Sequence, residues 1–142
     1  MEISRQSKML CGILLLTIPT IQYGGTYLLR LLTTHDRTYV DNPLRQGMFR
    51  AGHAHAGVLV ILSLVCQLLA DAASPAPGWA LWTARIGTPI AAVLIPTGFF
   101  LSVASPLATS PNGWVSAIWS GVASLGLSVL TLGVLLIRSA LR

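Results

Sequence analysis

Charge is what this sequence has least of. Only 9% of its 142 residues are charged, against about 25% in an ordinary soluble domain. Four acidic residues stand against nine Lys and Arg, too few to clothe a soluble surface. A soluble Rossmann or P-loop enzyme is therefore excluded, and no phosphate-binding glycine fingerprint is present. Cysteine is as scarce: Cys11 and Cys66 both lie in apolar runs and form no CxxC. They read as two free, buried thiols, which excludes a secreted disulfide scaffold. Zinc is disfavoured too, because His35, Asp36, Asp41, His53 and His55 do not form a recognised ligand spacing, and the apolar runs hold no carboxylate partner.

What the sequence has in excess is apolar side chains, 54% of the total. They gather into four runs at about 9–32, 50–70, 82–104 and 114–137, each long enough to cross a hydrocarbon layer of about 30 Å as a helix. The expected fold is an all-α integral membrane protein, a single domain over 1–142 in which four transmembrane helices form a bundle with short loops. Nothing is left over for a soluble catalytic domain, so any chemistry is confined to the bilayer and its two interfaces. The formal net charge of +5 is read as attraction to anionic lipid headgroups rather than to nucleic acid. Arg5 and Lys8 precede a first run too long for a signal peptide and without a small-x-small cleavage site, so it reads as an uncleaved helix.

Local punctuation sets further expectations. Pro19 and Gly24-Gly25 predict a bend in the first span, and Pro89 and Pro96 one in the third. The stretch 33–48 reads as the one long polar connection, ending in Asp41-Asn42-Pro43, an N-cap followed by proline at the first helical position. The run Ser74-Pro75-Ala76-Pro77-Gly78 forces a turn. Trp79, Trp82 and Arg85 then read as interface anchors, and Asn112 as the N-cap of the last span. Ser116, Ser120, Ser124 and Ser128 recur every four residues, a ridge suited to close packing inside the bundle, ahead of an oligomer contact. An even number of spans puts both termini on one side. Arg5, Lys8, Arg85, Arg138 and Arg142 outnumber Arg30, Arg37, Arg45 and Arg50 by one, a vote for cytoplasmic termini in a bacterial inner membrane.

The stretch with chemical content is Arg50-Ala51-Gly52-His53-Ala54-His55-Ala56-Gly57. Ionisable groups in a span usually face a protein interior and mark a site. At 100° per residue His53 and His55 point about 200° apart, so they cannot ligate one metal ion from a regular helix. Glycine and alanine around them let a large flat group or another helix approach, and neutral imidazole is a standard haem ligand. Arg50 suits a haem propionate or a lipid headgroup. Two readings of the histidines stay open: metal or haem ligation, or interfacial side chains bonded to loops. Tyr23, Tyr27, Phe99, Phe100, Trp114 and Trp119 suit either an apolar pocket or a membrane belt, while Gln22, Ser63 and Gln67 suit hydrogen bonds between helices.

The order and spacing of several elements resemble the styrene oxide isomerases, small four-helix membrane enzymes that hold haem b. They are the basic start into a glycine-containing first helix; Pro43 to Gly57 with its Arg-Ala and His-x-Gly elements; Thr83-Ala84-Arg85; Gly98-Phe99-Phe100-Leu101; and Ser105-Pro106 with Pro111-Asn112. The resemblance implies haem b with His55 of His55-Ala56-Gly57 as axial iron ligand, His53 as the alternative and Arg50 beside it. It also implies a homotrimer with haem near subunit contacts. The reaction it implies is isomerisation of an apolar aryl epoxide to an aldehyde, with ferric haem as Lewis acid in a dry site. Two positions depart from the family: Phe100 stands at its tyrosine and Ile61 at its asparagine, with Tyr23 and Asn112 as candidate substitutes in the pocket. The rival expectations are a haem electron-transfer or sensor subunit without turnover, and a cofactor-free structural subunit of the membrane.

Overall fold

A computed structural model describes residues 2–141, and five helices occur among them: α1 (Arg5–Thr33), the single turn α2 (Arg37–Val40), α3 (Pro43–Ala72), α4 (Gly78–Leu101) and α5 (Val115–Ala140). Four are long and apolar enough to cross a membrane, and together they form the expected all-α bundle. Local chemistry sets their starts. The Ser4 hydroxyl accepts from the Ser7 N–H at 3.2 Å, and the Asp36 carboxylate accepts from the Thr38 N–H at 2.9 Å. The Asn42 side chain accepts from the Arg45 N–H at 3.0 Å with Pro43 at the first position of α3, a favourable way to satisfy free N–H groups at a helix start.

Several boundaries differ from the sequence reading. The stretch expected as a polar loop is mostly helix: α2 and the early start of α3 leave only short connections. Asn112 is not the N-cap of α5, a position held by Trp114 without a side-chain bond. Asn112 instead ties the preceding turn, accepting from the Trp114 N–H at 2.9 Å and donating to the Leu101 carbonyl at 3.0 Å. The helices α1 and α4 continue through Pro19, Pro89 and Pro96.

The core is the trio α3, α4 and α5. A Cβ on Gly121 would lie 2.5 Å from Ile95 Cγ1, one on Gly87 2.6 Å from Ser128 Cβ, and one on Gly98 2.8 Å from the Ile118 nitrogen. Only glycine permits this α4–α5 approach, which supplies van der Waals contact where lipid offers no hydrophobic driving force. The serine ridge contributes as expected: Ser124 and Ser128 donate to the carbonyls of Gly87 and Ala84, each at 2.9 Å. Ser116 and Ser120 are exposed and bond locally, Ser116 to the Gly113 carbonyl just before α5 and Ser120 to the Ser116 carbonyl. Helix α1 stands apart, packed on α3, with 6% of its most apolar stretch buried against 44% for α4.

Arg85 corrects a further expectation. It is no interface anchor but is buried, with its guanidinium 2.5 Å from Asp71 Oδ1. The reason is that α3 extends past the predicted span, so that it carries a carboxylate after all. Arg85 also donates to the Ser7 hydroxyl, and the Ser4 N–H donates to Asp71 at 3.0 Å. Gln67 donates to the Arg85 carbonyl at 2.7 Å, the interhelical role its position suggested. This cluster fastens the start of α1 to the end of α3 and the second turn of α4.

Candidate functional site

Because α3 begins at Pro43, His53 lies ten residues inside it, about 15 Å along the axis at 1.5 Å per residue. The histidines are thus three turns into α3, as the expected start at Asn42-Pro43 requires. Their faces diverge as the helical angle requires. His53 turns towards α1, where a Cβ on Gly25 would lie 3.0 Å from Nε2 and one on Gly24 3.6 Å from Nδ1. The glycine pair, which reads in sequence as a bend, clears space for this imidazole.

Two cavities flank that contact. The larger, about 700 Å³, lies between α1 and α3 with Ile18, Gln22, Gly25, His53, Val60 and Ile61 among its lining. The smaller, about 290 Å³, lies between α1, α3 and α4 and includes Gly24, His53, Pro96 and Phe100. The larger falls within the usual range of small-molecule pockets, about 300–1,000 Å³. His53 borders both, and its ring makes no hydrogen bond among the described residues.

His55 leaves α3 on the other side. It is exposed, its Nδ1 lies 2.7 Å from the Ala51 carbonyl, and its ring centroid lies 5.1 Å from that of Phe99 on α4. A protonated Nδ1 donating to a carbonyl fixes the tautomer in which Nε2 keeps its lone pair, as in many metal-bound histidines. Among the described residues no cluster of three or more His, Cys, Asp or Glu side chains that could hold a metal ion occurs. That absence does not bear on haem, which asks the protein for one or two axial ligands.

The other candidates do not converge on one place. Arg50 is exposed and lies about 60° around the helix from His53 but about 140° from His55. Phe100 packs against Gly52 and Phe49, its ring centroid 5.3 Å from that of Phe49, and lines the smaller cavity. Tyr23 is 74% exposed and lines neither cavity, and Asn112 is committed to the loop before α5. Comparison with protein-family models, with curated proteins and with solved structures finds no match for this chain.

Proposed function

We propose that this chain is a haem-b-binding membrane protein of the styrene oxide isomerase type, with His55 as the axial ligand. The observation that carries the reading is the 2.7 Å contact of His55 Nδ1 with the Ala51 carbonyl, which prepares Nε2 as an outward-facing donor atom. The donor chemistry fits haem, and the alanines beside His55 leave its approach clear. The chemistry that haem supplies when bound is Lewis acidity towards an epoxide oxygen, the requirement for isomerising an apolar epoxide to a carbonyl compound.

This chain's own residues would do three things. The Ala51 carbonyl holds the imidazole in one tautomer and orientation. Phe99 packs against the ring and limits its rotation. The apolar surroundings keep water from a ring-opened, cationic substrate. His55 is exposed on the single chain, so the site needs a second surface to enclose it, which accords with the homotrimer that the resemblance implies. Phe100 and Ile61 stand where the resemblance places the family's tyrosine and asparagine, but both line cavities on the His53 side of α3, so neither gives a substrate at His55 a hydrogen bond. This favours a substrate recognised by shape.

A second assignment places haem on His53, favoured by the cavity of about 700 Å³ beside that ring. Absorption spectra of the purified protein and of two variants decide between them. His55→Ala is expected to lose the Soret band while His53→Ala keeps it. The reverse result moves the ligand to His53, and a colourless wild-type protein expressed with ample haem defeats the proposal.

A further inference from the structure

The larger cavity is bordered by two polar side chains without a hydrogen-bond partner among the described residues, the half-buried His53 and the exposed Gln22. The remaining lining is aliphatic or glycine apart from Thr26, whose hydroxyl donates to the Gln22 and Tyr23 carbonyls of its own helix. At membrane depth an imidazole or amide without a partner is costly, because lipid cannot supply one. The cavity is also kept open by sequence, since any side chain at Gly25 would press on the His53 ring. Its rim reaches the outside of the bundle at Ile61, which is 63% exposed, so access is sideways from the bilayer.

We infer that this cavity is a binding site for an uncharged, lipid-soluble carbonyl compound whose oxygen accepts a hydrogen bond from His53 or Gln22. An uncharged ligand is favoured because the site holds no permanently charged partner: none of its lining residues is acidic, Lys or Arg. A carbonyl oxygen offers two lone pairs and brings no donor of its own, so it can take the N–H of either side chain without leaving a new group unsatisfied. The aliphatic walls take the apolar body. This site lies on the face of α3 opposite His55 and rests on His55 being the haem ligand, because haem held by His53 would fill the same cavity.

The test compares benzophenone with diphenylmethane, which have the same two rings with and without the carbonyl oxygen. Binding to the purified protein in phosphatidylcholine nanodiscs is measured above partitioning into empty nanodiscs. Saturable binding is expected, with benzophenone favoured about two- to tenfold, the usual worth of one hydrogen bond. The preference is expected to vanish in His53→Phe, which keeps a flat ring without nitrogens. Ile61→Trp, a change at an exposed rim position that disturbs no core packing, is expected to weaken both probes. It keeps the test decisive if His53→Phe does not fold. Equal binding of the two probes, binding no greater than in empty nanodiscs, or binding untouched by Ile61→Trp would overturn the inference.

Discussion

Two buried arginines at opposite ends of the bundle solve the same problem differently. Arg85 is neutralised by a carboxylate, Asp71, and shares its remaining donors with Ser7 and the Gln67 carbonyl. Arg45 has no carboxylate. Its guanidinium donates to the carbonyls of Thr38 at 2.6 Å, Val103 at 3.1 Å and Ala104 at 3.4 Å, and to the Thr38 hydroxyl at 3.0 Å, with Phe49 4.9 Å beneath it. One arginine is a charge pair that locks α1 to the core. The other is a fork that collects carbonyls left over at the end of α4 and beside α2. The pair is sensitive to losing either member, whereas the fork leaves only neutral acceptors behind.

The largest effect is therefore expected when the pair is split. Arg85→Met or Asp71→Leu alone should destabilise the detergent-solubilised protein by about 3–5 kcal/mol, because one charge stays buried without its partner. The double variant should recover most of that loss. Thermal unfolding followed by helical circular dichroism reads both, and a double variant no better than the singles would show that the hydrogen bonds matter more than the charges. Arg45→Met should cost less, about 1–3 kcal/mol for unsatisfied carbonyls. A loss as large as that of Arg85→Met would erase the contrast. Thr38→Val removes one acceptor of the fork together with the exposed hydroxyl bond to Asp36, and about 0.5–1.5 kcal/mol is expected by the same melt.

The smallest effect concerns Asp36, which caps the turn that presents Thr38. Its bond from the Thr38 hydroxyl at 2.7 Å holds the carboxyl below the ordinary carboxylate range. A depressed value means that the contribution is present in full above the ordinary range and is lost as pH falls through the depressed one. Acidification should therefore move the Thr38 amide resonance in that low window, and Asp36→Asn should remove the titration.

The fold was legible because four long apolar runs can do little but span, because a four-residue serine spacing marks one small-residue face of a helix, and because the Asn42-Pro43 start acts through neighbours within a turn. The Arg85–Asp71 pair was not legible. Asp71 follows Ala70 at what reads as the end of a span, and Arg85 follows Trp82 in the pattern of an interface anchor. Only the extra length of α3 brings the two together. The opposed directions of His53 and His55 follow from helical angle alone. Which face meets α1 does not, since it depends on how a lightly packed helix rests on its neighbour. The glycine pair at 24 and 25 shows the same limit: sequence marks the missing side chains, and the structure identifies the ring that uses the space.

The sideways opening beside Ile61 also changes what dose means for this protein. A compound reaching His53 arrives from hydrocarbon, so occupancy follows its mole fraction in the membrane rather than its concentration in buffer. Apparent potency would fall as more lipid is added at constant total compound, although nothing about the cavity has changed. Two laboratories using different lipid-to-protein ratios would agree only after expressing their titrations per mole of lipid.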